Sequence, residues 1–345
     1  MKTVFGLYIT FADIAEYTHF SKTTISRYFN NPDSLTLENQ QKIADALVAL
    51  DYKENKVARI LANGKTEFVG IIIPNLFLSY YSEVLNQILT TYETYGYKFL
   101  VFLGNDNKET ERRYIEELLA YKIEGLIILS HTLSSKELAA YNIPIVTIER
   151  EDQYVCSVNT DNYMGGVQAT SLLIKGGCNF LIHINQPVAP ETPAYGRIKG
   201  FEDICSNNNI PHETLLRYMD DTYSDTQKEL AEIFQYIEET YPRQKKGIFL
   251  SNDTLASIFL NLVLKKYGSL PDTYQIVGFD DSPIASQYFI PISTVRQKID
   301  VIVREAMKLL VMQMDERKKR RPTPLKKPIH KIVTPVLIQR QTTVS

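Results

Sequence analysis

Between Phe68 and Phe279 the chain repeats one pattern, a short continuous apolar run followed by a helical segment. The runs are Phe68–Ile73, Tyr97–Phe102, Gly125–Leu129 and Ile145–Ile148, then Phe180–Ile184, Lys246–Leu250 and Tyr274–Phe279. Strands apolar on both faces belong in a parallel sheet covered by helices on each side. Two such series predict two doubly wound lobes, and ligands of open α/β sheets bind at the strand C-termini. No G-x-G-x-x-G follows any run, so no nucleotide cofactor is expected. Ile332–Ile338 reads as a final strand. No heptad repeat follows it, which predicts a dimer rather than a tetramer built on a C-terminal coiled coil.

The first fifty residues follow a different period. Phe11, Ile14 and Ala15 lie at helical spacing, Thr10 with Asp13 forms a capping box, and Ser21 can cap a second helix. Ile25 and Phe29, four apart, face inward, leaving Lys22, Thr23, Ser26 and Arg27 outward. Short side chains at a helix start, with an Arg one turn on, suit a helix entering a DNA major groove. An ordinary helical hairpin is the alternative. Thr36 caps a third helix with Ile43, Ala44, Leu47 and Leu50 as its stripe. Residues 55–61 form a short helical candidate with too little apolar surface to hold a helix alone. Asn63-Gly64-Lys65-Thr66 is not a phosphate loop, because the required upstream glycine is Arg59.

Composition narrows the class. An apolar fraction of 44% and a charged fraction of 23% are those of a soluble globular chain of 345 residues. The formal charge of −2 does not announce a nucleic-acid binder, so the DNA argument rests on pattern. Three widely spaced cysteines, Cys156, Cys178 and Cys205, point to a reducing compartment and no zinc or other metal. With no signal-peptide pattern and no membrane-length run, a cytoplasmic location is expected. No Ser/His/Asp, Cys/His or H-E-x-x-H arrangement stands out, so no enzyme is expected.

Thr10, Asp13, Ile14, Ala15, Ser21, Thr24, Ile25, Ser26, Arg27, Phe29 and Asn30 stand on the helix-turn-helix pattern of the LacI/GalR repressors. The resemblance continues through Asn55-x-x-Ala58-Arg59-x-Leu61, Asp161-Asn162-x-x-Gly165-Gly166, Arg197-x-x-Gly200-Phe201, Asn252-Asp253, Val277-Gly278-Phe279-Asp280-Asp281 and Thr294-Val295-Arg296-Gln297. In the turn, Thr18-His19-Phe20 replaces the family's A-G-V. The resemblance implies a three-helix DNA-binding domain at 1–50, a hinge helix and linker at 51–66, and a sensor at 67–345. That sensor is a two-lobed, periplasmic-binding-protein-like, doubly wound core. It also implies a homodimer on double-stranded operator DNA and a small-molecule effector, a sugar or sugar derivative.

Arg27 suits a bidentate contact with guanine, and Lys22 and Thr23 match the family's base-reading pair. Ser21, Thr24, Ser26, Asn30 and Thr36 are short donors for phosphates, with helix capping as the alternative role. Asn55, Ala58 and Leu61 belong to the hinge, Leu61 as a minor-groove wedge or else a linker core contact. For the effector, Asp161, Arg197, Asn252 and Asp280 fall in loops after strands, where carboxylate, amide and guanidinium groups serve a polyhydroxylated ligand. Phe77 and Tyr81 are candidate walls, and Tyr223 sits where the family often stacks an aromatic. Each polar residue has a capping or bracing alternative. Two rival readings are a secreted sugar-binding protein and a global regulator needing a protein co-repressor.

Overall fold

Thr10 starts the first helix by bonding both ways. Its hydroxyl accepts from the Ala12 amide at 3.2 Å, and its own amide donates to Asp13 Oδ2 at 2.7 Å. That pair satisfies donors a helix start leaves orphaned. Helix α1 (Phe11–Thr18) ends at His19, which takes a left-handed φ of 57° where the family uses glycine. Helices α2 (Lys22–Asn30) and α3 (Leu37–Ala49) are capped by Ser21 and Thr36, each hydroxyl accepting from the amide three residues on. Ile14, Ala15, Ile25, Ile43 and Ala46 form the shared core, and the Phe11 and Phe29 rings stack over it at 4.9 Å.

The computed structural model describes residues 9–53, 66–104, 107–150, 153–219, 222–323 and 325–344. The chain divides into two units, Met1–Lys65 and Thr66–Ser345. The predicted hinge, with Asn55, Ala58 and Leu61, lies outside the described residues. No helix among the described residues is long and apolar enough to cross a membrane.

Among the described residues, the second unit holds twelve strands. In chain order they are β1 (Phe68–Ile73), β2 (Lys98–Leu103), β3 (Gly125–Ile128), β4 (Ile145–Ile148), β5 (Cys156–Thr160) and β6 (Phe180–Asn185). They continue as β7 (His212–Leu216), β8 (Lys246–Leu250), β9 (Tyr274–Asp280), β10 (Ser293–Arg296), β11 (His330–Val333) and β12 (Val336–Ile338). One sheet has the order β11-β5-β4-β3-β1-β2 and is all parallel. The other has the order β12-β10-β9-β8-β6-β7, with only β12 antiparallel. The two doubly wound lobes expected from the apolar runs are therefore present.

Successive side chains of β1 go to opposite faces. Val69, Ile71 and Ile73 meet Val84, Ile88 and the helix Ile299–Lys318, while Ile72 meets Ile115 and Leu118 on the other side. Strands β5, β7 and β10 escaped the apolar-run criterion because they carry polar residues; Thr160 of β5 bonds Gln297, just after β10, while Thr294 of β10 bonds Asp253 within the second lobe. The single final strand expected at Ile332–Ile338 is corrected: it splits into β11 in one sheet and β12 in the other. Pro335 sits at the break and has no N–H to continue a ladder. The chain thus passes between lobes three times, after β5, after β10 and between β11 and β12.

Within the second lobe the helices Asn162–Lys175 and Tyr195–Asn207 cross backbone to backbone. A Cβ on Gly166 would lie 2.4 Å from the Arg197 carbonyl oxygen, and one on Gly200 would lie 2.3 Å from that of Tyr163. Only glycine permits this approach, and it sets the position of Arg197.

Candidate functional site

On α2, Lys22, Thr23 and Arg27 are exposed, while Ile25 is fully buried and holds that face outward. The Ser21 hydroxyl caps the helix and lies 2.9 Å from that of Thr24. Asn30 Nδ2 donates to the Ser26 carbonyl at 2.9 Å and to its hydroxyl at 3.1 Å, so these two residues are tied to each other. Thr36 is exposed at the start of α3.

The other cluster gathers at the strand C-termini of the two lobes. Arg197, 9% exposed, is the centre. Its Nε donates to Asn162 Oδ1 at 2.7 Å, its Nη1 to the Ser251 carbonyl at 2.5 Å, and its guanidinium lies 3.7 Å from the Phe279 ring centroid. Asn162 Nδ2 in turn donates to Glu149 Oε2 at 2.8 Å, and the Thr160 amide to Glu149 Oε1 at 2.5 Å. A continuous chain of hydrogen bonds therefore runs from Glu149 at the end of β4 to Arg197 and Ser251 in the second lobe.

Asp280 ends β9 with a φ of 107°, strained for a residue with a side chain. Its Oδ1 accepts from Gln297 Nε2 at 2.7 Å, and Gln297 Oε1 accepts from the Thr160 hydroxyl across the crossing segments. Burial raises the Asp280 carboxyl to about 7, and Glu149 adds to the rise; Arg197 and the Gln297 amide oppose it. Tyr80 is buried, and its hydroxyl has no hydrogen-bond partner among the described residues. Burial raises its pKa, and Glu149 and Asp280 add to the rise. A buried hydroxyl beside two carboxylates thus keeps an unmade hydrogen bond. The Ser130 hydroxyl, after β3, is likewise buried and unpartnered among the described residues.

The expected effector residues divide. Arg197 and Asp280 converge, although Arg197 lies in the first turn of the helix Tyr195–Asn207 and not in a loop. Asp161 and Asn252 act as N-caps, accepting from the Met164 amide at 3.0 Å and the Leu255 amide at 2.9 Å. Phe77 and Tyr81 are half-buried, Tyr81 with its ring 5.6 Å from that of Tyr80. Tyr223 is 51% exposed, within electrostatic reach of Tyr288. Tyr288 lines a cavity of about 300 Å³ between Ser79, Ser82 and Glu83 of one lobe and Pro283, Ile284 and Gln287 of the other.

Sequence reasoning missed Tyr80, Glu149, Asn162 and Gln297. A signal existed for Tyr80, which shares a buried helix face with Val84 and Ile88 at four-residue spacing. Asn162 and Gln297 lay inside the motifs already quoted. Glu149 had no signal beyond ending an apolar run.

The helical unit and the two-lobed cleft have known counterparts. Residues 170–343, half of the chain, match the family model described as a periplasmic binding protein-like domain. The chain belongs to the periplasmic binding protein-like family, in its LacI/GalR branch. The ribose operon repressor of Halalkalibacterium halodurans is 28% identical over 89% of this chain and 91% of its own length. The sucrose operon repressor of Streptococcus mutans is 29% identical over 88% of this chain and 92% of its own. Among solved structures, the lac repressor dimer bound to operator and the anti-inducer ONPF superposes with a TM-score of 0.82. It covers 98% of this chain and 100% of its own at 20% identity. A LacI-type regulator of Alkaliphilus metalliredigens complexed with D-xylulofuranose gives 0.69 over 81% of this chain and 100% of its own, at 25% identity. In this LacI/GalR chain both parts, the helix-turn-helix and the cleft, thus belong to one architecture.

Proposed function

We propose that the protein is a DNA-binding transcriptional repressor of LacI/GalR type that acts as a homodimer. It reads a near-palindromic operator and responds to a sugar or sugar derivative bound between the lobes, and it catalyses no reaction. Residues 1–50 read the major groove, 51–66 form the hinge and 67–345 sense the effector. The observation carrying this reading is the pairing, in one chain, of an exposed Lys22-Thr23-Arg27 face with a cleft that buries Arg197, Asp280 and Tyr80 beside one another. The relatives named as ribose and sucrose operon repressors support a sugar. Arg197 and Asp280 are the central effector contacts, with Tyr80 beside them. Asp161 and Asn252 position the cleft, and Phe77, Tyr81 and Tyr223 line its approaches. On DNA, Ser21, Thr24, Ser26, Asn30 and Thr36 set register against phosphates.

Effector binding works by favouring one lobe arrangement, and it shifts DNA affinity only as far as it binds the two arrangements differently. A thermal-shift screen of free sugars tests the sensor directly; a melting point unmoved by every sugar counts against it. The alternative is a global regulator needing a protein co-repressor; among the relatives, the catabolite control protein A of Streptococcus mutans, 25% identical over 89% of this chain, is named for a control role and not for one sugar operon.

Arg27→Ala should cost roughly 1–3 kcal/mol of discrimination at one base pair per half-site, with little loss on random DNA. Operator titrations with single base changes read this out, and a variant as tight and selective as the parent removes Arg27 from base reading. Leu61 lies outside the described residues, at the position the resemblance gives to a minor-groove wedge. Leu61→Ala should then reduce operator bending and affinity together while leaving effector binding unchanged. Gel mobility of circularly permuted operator fragments checks the bend.

A further inference from the structure

The helices assigned to DNA carry little electrostatic attraction of their own. Residues 9–53 place Lys22, Arg27, Lys42 and Lys53 against Asp13, Glu16, Asp33, Glu38, Asp45 and Asp51. Phosphate neutralisation supplies a large share of protein–DNA affinity, and a surplus of carboxylates works against it. Residues 1–8 and 54–66 add Lys2, Lys56, Arg59 and Lys65 against Glu54, which brings the DNA-reading end only near neutrality, and the densest run of cations lies elsewhere. Between 315 and 327 the core carries Arg317, Lys318, Lys319, Arg320, Arg321, Lys326 and Lys327 against only Asp315 and Glu316.

Three of the seven are engaged. Lys318 bonds Glu124 and the Tyr97 hydroxyl, each at 2.8 Å, Lys319 pairs with Glu316, and Arg317 donates to the Asn142 carbonyl at 2.5 Å. These contacts pin the segment, as does the Thr323 amide on Glu316 Oε1 at 2.7 Å. Arg320, Arg321, Lys326 and Lys327 are exposed and carry no ion pair to the described residues.

The partners show where this segment lies. Tyr97, Glu124 and Asn142 immediately precede β2, β3 and β4, so the cations sit at the strand N-termini of the first lobe, the end away from the effector cleft. The core's own chain begins there, since the Thr66 hydroxyl donates to the Lys122 carbonyl at 2.6 Å.

We propose that Arg320, Arg321, Lys326 and Lys327 form a second DNA-contacting surface that grips the phosphate backbone flanking the operator. It supplies the charge the helix-turn-helix lacks. This inference rests on the DNA-regulator reading. Loose phosphate contacts of this kind add affinity and salt dependence without sequence preference.

The test uses an operator recovered by the full-length parent from a random-sequence duplex pool, prepared bare and with 15-bp flanks on each side. Arg320, Arg321, Lys326 and Lys327 are replaced together by Ser, and a control exchanges Lys and Arg at the four positions. If two cations per protomer of a dimer engage, the parent's log–log salt slope on flanked DNA should be steeper than the variant's by about 4. Between 50 and 200 mM salt that difference amounts to a ~10²-fold divergence in relative affinity. The bare operator should show little difference, and the Lys/Arg exchange should behave as the parent. A serine variant that melts with the parent yet matches it on flanked DNA overturns the proposal. So does an equal loss on bare and flanked operator, or retention of flanked-DNA affinity with loss of binding to an acidic protein. A parent that enriches no sequence from the pool sinks the regulator reading itself.

Discussion

Arg197→Ala should abolish the response to effector and also destabilise the second unit, most of all at alkaline pH. The guanidinium holds Asn162 and the Ser251 carbonyl, stacks on Phe279 and offsets the buried Asp280 charge. Its removal leaves Asn162 Oδ1 and the Ser251 carbonyl without their donor, at a cost of about 1–3 kcal/mol for each buried acceptor left unsatisfied. The pH dependence follows from Asp280. Its pKa of about 7 lies above the ordinary 3.8, so the native state holds this proton more tightly than the unfolded chain. Its contribution to stability is present in full below pH 3.8 and is lost as pH rises through about 7. Without Arg197 the carboxyl moves higher still, and the loss extends further into the alkaline range. Asp280→Asn should reduce this slope, leaving the part due to Asp253, whose carboxyl burial also raises, and still fail to respond, because the anionic acceptor is gone. Melting curves from pH 5 to 9, with effector titrations at each, measure both effects. Parent-like responses in both variants would remove these residues from the sensor.

Gly166→Val should disable the sensor from behind the site, by pressing on the backbone of Arg197 and not on its guanidinium. The new Cβ would meet the Arg197 carbonyl oxygen at 2.4 Å, a backbone atom that cannot swing aside. The helices Asn162–Lys175 and Tyr195–Asn207 must then part, at roughly 3 kcal/mol or more. Their separation breaks the 2.7 Å contact between Arg197 and Asn162 and with it the link to Glu149. Calorimetric melting should show a clear fall, and effector affinity should drop at least tenfold. Gly166→Ala tests the same contact with the smallest possible side chain. If that variant melts within a degree of the parent, the helix pair is not held by backbone contact.

Much of the molecule was legible in the sequence, and the legible part is local. The caps of Thr10, Ser21 and Thr36 each act within three residues, and the stripe of Ile14, Ile25 and Ile43 follows from the helical period. The apolar runs announced two parallel sheets because a strand covered on both faces has no polar alternation to hide. Motif order placed Arg197 and Asp280 at the strand C-termini. What escaped was decided by distance along the chain. Glu149, Asn162, Arg197 and Ser251 join through hydrogen bonds spanning 13, 35 and 54 residues, and Thr160 meets Gln297 across 137. No local pattern encodes such a meeting. The burial of Tyr80 beside Val84 and Ile88 and the caps of Asp161 and Asn252 are themselves local; what the sequence did not show is what faces them. Sequence periodicity assigned each residue to a face of its own element; only the packing of two sheets, joined at three crossings, decided which faces look at each other.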